Sequence, residues 1–362
     1  MSTLMQASNQ WAKRPADERF TSLTEMQAAM AAQRAVSKAI VTSSRRLTAV
    51  PMPDNKGLVV QGDAGVGYAP SHMAFGQLAT LAGAPAVYLR TLPSPLAADA
   101  LNYGLKYARE VEDVGVLLSR QQDGNVLRAA TGPRYGRIWN SEIVDAMVNT
   151  FGDGVSGDGF RVPGEFGQEV KVTKANTTLF AGDRDMFVFL ADEKNRIEVP
   201  NRREGKEGSL ARGFFVWNSE VGSATFGIAA FLFDYVCCNR IVWGAQEFKQ
   251  VTIRHTASAP DKWIEEMQPA LLSYTNSATT SITKALADAK AARLDNVDDF
   301  LSKRYGARVG AAVSAAHMAD EGRPIETVWD VVTGATAYAR GIVNQDARVA
   351  MERDAGSLMD SF

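Results

Sequence analysis

The sequence predicts an α+β fold: a mixed or antiparallel sheet core with helices, followed by a helical C-terminal region. Three observations lead there. The stretch from Arg212 to Thr256 is the most apolar part of the chain and is rich in β-branched and aromatic residues, the composition of buried strands. Two strand-like runs, Val114 to Arg120 and Val126 to Ala130, are joined through Asp123-Gly124, a hairpin dipeptide. After Pro260 the composition turns alanine-rich and helical.

The elements follow in order. The first twenty residues are polar and are expected to be loose. Thr21 and Ser22 can cap a helix, with Glu25 three residues after Ser22 and Leu23, Met26, Met30 and Ile40 on an apolar face. That arm packs either on another subunit or on its own core. Arg46 to Val50 and Leu58 to Gln61 read as strands about a turn. Gly65-Val66-Gly67 completes neither GxGxxG nor GxxxxGK[ST], and a turn is preferred to a phosphate loop.

Ser71 caps a helix to Leu81, Leu96 to Ala108 gives another, and Asn140 to Thr150 a third, capped by Asn140 or Ser141. Strands are expected over Lys171 to Phe180 and Met186 to Ala191, about the turn AGDRD. Residues 193–212 form a polar, basic excursion. Helices are expected over Asp261 to Arg293, Val297 to Arg304 and Ala307 to Asp320. A last one starts at Pro324, with Ile325, Val328, Val332, Ala335, Ala339 and Ile342 on one face. The organisation is an N-terminal helical arm (1–50), an α/β core (51–256) and a helical C-terminal region (257–362).

With 362 residues and 46% apolar content, the chain can bury a sizeable core. A net charge of -2 gives no global attraction to nucleic acid or anionic membrane, so such binding needs a local patch. The longest apolar run, Ala224 to Cys238, is too short to span a bilayer and contains Asp234. No secretory signal is read at the N-terminus, and the chain is read as soluble and cytoplasmic. The two cysteines, Cys237 and Cys238, are adjacent, which argues against a mutual disulfide and for an inert structural role.

Chemistry is sparse. His72, His255 and His317 are far apart and the cysteines lack CxxC spacing, so no zinc site is expected; no other metal and no cofactor is expected either. Asp183-Arg184-Asp185 is read as a turn rather than a cation site. A thiol nucleophile beside His255 is an alternative that the apolar flanks disfavour. The stronger pattern is basic and aromatic. Arg134, Tyr135, Arg137 and Trp139 interleave guanidinium groups with rings, the chemistry by which single strands are held: charge on phosphates, rings on bases. Arg202, Arg203, Lys206 and Arg212 form a second basic cluster in a glycine-containing loop, and Arg254 ends a strand beside Gln250 and Thr252. The plain alternative is a solvated loop for Arg202 to Lys206 and core packing for Tyr135 and Trp139. Asn218, Glu220 and Asn239 read as structural groups serving loop backbone, or as the lining of a pocket.

The segment FGQLATLAGAPAVYLRTLPSPLAADALNYGL has a QL-bearing helix, a glycine bend before a tyrosine, an L-P pair and an L-N pair. With VLLSRQQDGNVLRAATGPRYGRIWNSEIV, TLFAGDRDMFVFLAD, the FFVWNSEVG–YVCCNRIVWG–IRHT segment and TVWDVVTGATAYARGIVNQDARVAMERDAGSLM, it resembles an uncharacterised family of phage, prophage and plasmid proteins, the domain of unknown function 932. The resemblance runs from about residue 50 to the end. It implies phage or mobile-element biology and transfers no catalytic residue. The order of hairpin, helix, sheet and trailing helices also resembles, at the level of fold alone, the single-strand annealing proteins of phage recombination.

The leading expectation is a non-enzymatic phage or mobile-element protein that binds single-stranded nucleic acid, working as a homo-oligomer. Two alternatives stay open: an enzyme with a pocket beside the 212–256 sheet, involving Glu220, Asp234 or His255, and a module that binds a host factor.

Overall fold

The computed structural model describes residues 14–54, 56–107, 113–121, 124–156, 159–163, 171–200, 208–234, 239–241, 251–277, 279–342 and 345–361. The fold is α+β, with two sheets and a helical C-terminal region.

The chain starts with β1 (Arg19–Phe20) and α1 (Leu23–Ala35), capped by the Ser22 side chain on the Glu25 N–H at 3.0 Å. Leu23, Met26 and Met30 are buried as expected. Ile40 is not on that helix. It lies in β2 (Ser37–Ser43), because Ile40-Val41-Thr42 is β-branched and pairs with a strand far along the chain. Then come β3 (Thr48–Pro51), β4 (Leu58–Gln61), β5 (Gly67–Pro70), α2 (His72–Leu81), the short α3 (Ala86–Leu89) and α4 (Ser94–Tyr107). The hairpin β6 (Asp113–Gln121) and β7 (Gly124–Thr131) follows, then α5 (Asn140–Phe151). Six strands form one sheet in the order β2-β6-β7-β5-β4-β3, with α2 and α4 packed on it. Asn102 on α4 finishes the β3 edge: its amide accepts from the Ala49 N–H at 2.7 Å and donates to the Ala49 carbonyl at 2.8 Å. The edge is thereby covered, as exposed edges commonly are.

The larger sheet holds β8 (Phe160–Arg161), β9 (Leu179–Ala181), β10 (Met186–Asp192), β11 (Ile197–Val199), β12 (Gly208–Asn218), β13 (Phe226–Asp234), β14 (Asn239–Ile241) and β15 (Val251–Ile253). Its spine is β9-β10-β12-β13, antiparallel, with β1 outside β9. Alternate residues face opposite sides. Met186, Val188, Leu190, Phe214 and Val216 meet α1 and α5, whereas Phe187, Phe189, Phe215 and Trp217 pack together on the other face. Burial on both faces explains the unbroken apolar run. Two cross-strand pairs, Gly213 with Phe231 and Gly227 with Trp217, set a ring over a glycine, and a Cβ at either glycine would fall on that ring. The strand expected over Lys171 to Phe180 is shorter: Thr173 to Thr177 make a turn held by Asn176, and pairing begins at Leu179.

The C-terminal region contains α6 (Ala259–Lys262), a π-helical turn (Trp263–Met267), α7 (Gln268–Asn276), α8 (Thr280–Ala291), α9 (Val297–Tyr305), α10 (Ala307–Glu321), α11 (Val328–Arg340) and α12 (Gln345–Ser357). The helix expected from Pro324 starts four residues later. Thr327 and Asp330 form a reciprocal capping box, and that cap outweighs the proline's preference for a first turn. Val328, Val332, Ala335 and Ala339 are buried, and α11 is surrounded by its neighbours and by Val199, Leu210 and Leu232 of the sheet. No helix among the described residues is long and apolar enough to cross a membrane.

Candidate functional site

The two sheets meet at one polar junction. Its centre is the turn Ser219–Gly222 after β12, met by the 131–140 connection after β7 and by His255 after β15. Gly222 has φ +83, the left-handed region that glycine tolerates, with Gln77, Thr131 and Tyr135 packed around it. Gly136 permits the closest approach: its N–H donates to the His255 carbonyl at 3.2 Å, and a Cβ there would fall on the Thr256 carbonyl oxygen.

Glu220 organises the interior. One carboxylate oxygen accepts from Arg128 at 2.9 Å; the other accepts the Asn140 N–H at 2.9 Å. Arg128 and Glu220 are only 5% and 4% exposed. Neither Asn140 nor Ser141 caps α5; Trp139 is the N-cap residue and gives no side-chain bond, so Glu220 serves the helix end instead. Asn140 is occupied otherwise: its carbonyl oxygen accepts from the Asn218 amide at 2.7 Å. Gln77 on α2 ties the sheets together, accepting the Ala130 N–H at 2.8 Å and donating to the Val221 carbonyl at 2.7 Å.

A column of charges and rings lies against this turn. Arg34 sits 3.9 Å from the Trp139 ring centroid, and Arg137 lies 5.8 Å from Trp139 and 5.3 Å from Tyr135. Tyr135 stacks on His255 with centroids 4.7 Å apart. The Tyr135 hydroxyl donates to the Ser219 carbonyl at 2.7 Å, and Arg137 Nε donates to the Glu220 carbonyl at 2.6 Å. Such guanidinium–ring contacts gain strength where water is excluded.

Two buried atoms in this column have no hydrogen-bond partner among the described residues: Arg137 Nη2 and His255 Nε2. His255 Nδ1 lies 2.9 Å from the Gly136 carbonyl, which only accepts, so Nδ1 carries the proton and the neutral ring leaves Nε2 as an unprotonated acceptor. Burial pulls the His255 pKa down to about 4, opposed by the Gly136 bond and helped by the Arg137 charge. Burial likewise pushes Tyr135 far up.

The basic–aromatic segment of the sequence is thus split by exposure. Arg134 and Arg254 are exposed at the outer edge of the junction. Tyr135, Arg137 and Trp139 are half-buried and hold protein groups, and Arg34 already lies over the Trp139 ring. Arg202, Arg203 and Lys206 lie outside the described residues, as do Cys237, Cys238 and Gln250 and the side chains of Asp234 and Asn239. Arg212, expected in the same basic loop, lies instead in β12, where it is buried and pairs with Asp192 at 2.9 Å. Asn218 and Glu220 are built into the junction, and Asp185 pairs with Arg14 at the β9–β10 turn. No group of three metal-ligating side chains occurs among the described residues. Sequence reasoning missed Arg34, Gln77 and Arg128. Gln77 had a signal, a polar residue inside the FGQL run of an otherwise apolar helix, whereas the two arginines had none, because their partners are distant in sequence.

Residues 165–340 match a family model described as Domain of unknown function (DUF932). The match takes in the Ser219–Gly222 turn and His255 but not the 131–140 connection, and it begins later than the resemblance traced in the sequence. No curated protein and no solved structure matches the chain.

Proposed function

We propose that this chain, which carries a domain of the uncharacterised DUF932 family, is a non-enzymatic binder of single-stranded nucleic acid that makes contact at the outer edge of the sheet junction. The observation that carries the reading is the pairing of Arg134 and Arg254. They stand on segments joined by the Gly136–His255 hydrogen bond, both are exposed, and neither makes an ion pair among the described residues. They offer two phosphate contacts on a rigid base, and phosphate contacts supply most of the affinity of sequence-independent binding. Tyr135, Arg137 and Trp139 are the support that fixes this edge.

The resemblance to phage and plasmid proteins gives the setting: recombination or annealing on a mobile element, by an oligomer that repeats a weak site along a strand. Repetition answers the near-neutral net charge of -2, since a two-arginine site binds weakly alone. The test is binding of labelled single-stranded and duplex oligonucleotides to the wild type and to the Arg134→Ala/Arg254→Ala double variant. The reading expects binding of the single strand, weakened at least tenfold in a variant that melts at the wild-type temperature. Equal binding by both proteins, or none by the wild type at low salt, overturns it.

A further inference from the structure

The six-stranded sheet curls into a cup. β2 and β3 are its opposite edges, yet only residues 44–47 separate them in the chain, so the two edges are drawn together. The inner face surrounds a cavity of about 820 Å³ that opens to solvent. Small-molecule sites span roughly 300–1,000 Å³. Leu47, Val60, Val116 and Leu127 form its floor, all buried and part of the core packed under α2 and α4. Farther along β2 and β6 the wall becomes Ile40 and Leu118, which are only partly covered.

Two cations stand at the end of this wall. Lys38 pairs in register with Leu118 across β2 and β6, so Arg120, two residues on, is its diagonal neighbour on the same face. Both line the cavity. Arg120 Nε donates to the Tyr68 hydroxyl at 3.1 Å, and neither cation has a carboxylate partner among the described residues. The acid in the lining, Asp63, is held by Arg46 at 3.2 Å. The cup is therefore aliphatic with an uncompensated positive end.

We propose that the cup binds an amphipathic anion, an aliphatic chain bearing one carboxylate or phosphate head, with the chain on the Val60–Val116–Leu127 floor and the head between Lys38 and Arg120. The lining favours an aliphatic body over a nucleobase. No side-chain amide lines the cavity to read a base edge, and its aromatic ring, Tyr68, is set among aliphatic residues. Strongly apolar pockets with a few converging polar groups are the usual form of such sites. This site is separate from the junction edge and does not depend on the nucleic-acid reading.

The test is calorimetric titration of the full chain with dodecanoate and dodecyl phosphate below their micelle concentrations. Dodecanol, acetate and inorganic phosphate serve as partial ligands. The proposal expects saturable one-to-one binding of at least one head-bearing chain, about tenfold weaker binding of dodecanol, and no binding of the heads alone; the two head groups tell a carboxylate site from a phosphate site. Lys38→Ala/Arg120→Ala should weaken dodecanoate or dodecyl phosphate by about tenfold and leave dodecanol unchanged. Leu118→Trp should narrow the cavity beside Lys38 and weaken binding of all chains. Leu118 is partly exposed, so the variant should still fold, which a melting curve checks. Unsaturable uptake, indifference to both sets of substitutions, or competition by a thymidine oligonucleotide overturns the proposal.

Discussion

The Glu220 carboxylate accepts the Asn140 backbone N–H at 2.9 Å across 80 residues of sequence, and so caps α5 from the turn after β12. The same side chain pairs with Arg128, a residue of the smaller sheet. One acid thus fixes the relation of both sheets and α5. Removing it leaves a buried guanidinium unpaired and a helix end unsatisfied. Glu220→Ala should lower stability by about 3–5 kcal/mol, measured by urea unfolding. Replacing Arg128 and Glu220 together with apolar residues should cost clearly less than Glu220→Ala alone. A Glu220→Ala loss below about 1 kcal/mol would show that the pair is not what joins the sheets.

His255 gives the junction a pH dependence. Its folded pKa of about 4 lies below the ordinary 6.5, so the native ring resists a proton that the unfolded chain accepts. The unfolded state then binds more protons as pH falls from about 6.5 to about 4, and stability declines over that window while being fully present above it. His255→Asn keeps a donor for the Gly136 carbonyl and cannot titrate. Its melting temperature should be flatter than the wild type's between pH 6.5 and 4. Parallel curves for the two proteins would locate the dependence elsewhere.

Asp330 should matter for the C-terminal helices in the opposite region of acid pH. Burial works to raise its carboxyl, but the Arg323 hydrogen bond and the Glu326 N–H outweigh it and the pKa falls below the ordinary 3.8. Stability from this group is present above that value and is lost as pH drops below it. Asp330→Ala removes the capping box and the Arg323 pair together. A loss of about 2–4 kcal/mol is expected at neutral pH, read by the urea midpoint.

Trp139 and Arg134 should separate by kind of effect. Trp139 is half-buried between Arg34 and Arg137, so Trp139→Ala should lower the melting temperature, by the equivalent of about 2–4 kcal/mol. Arg134 is exposed, and Arg134→Ala should leave melting within about 0.5 kcal/mol of the wild type. A stable Trp139→Ala protein that loses strand binding would instead make the tryptophan a base-stacking platform.

Much of this architecture is legible in the sequence because it rests on local signals. Ser22 and Ser71 cap the helices they precede, the β6–β7 hairpin follows from its turn dipeptide, and α11 shows its buried face as periodicity. Where local signals compete, the sequence misleads. Ile40 fits a helical stripe after Met30, yet its β-branched neighbours pair with β6. Pro324 advertises a first turn, but the Thr327–Asp330 box places it later. The junction was partly legible: the Arg134–Trp139 alternation was visible, but its division into exposed and half-buried groups was not. That division depends on Arg34, Arg128, Gln77 and Glu220, brought in by tertiary contacts that leave no periodic trace. Gly136 shows the same limit. Its need for a bare Cα arises from the Thr256 carbonyl 120 residues away, and Gly136→Ala should destabilise the junction although no local rule demands glycine there.

The salt dependence of single-strand binding reports directly on the Arg134–Arg254 edge. Each arginine that neutralises a phosphate releases counterions and adds about 0.7 to the magnitude of the slope of log affinity against log salt. The wild type should bind a labelled single strand with a measurable negative slope. The Arg134→Ala/Arg254→Ala protein should have a slope shallower by roughly 1.4 per site, with unchanged melting. An unchanged slope in that double variant, or affinity in the wild type that ignores salt, would contradict it.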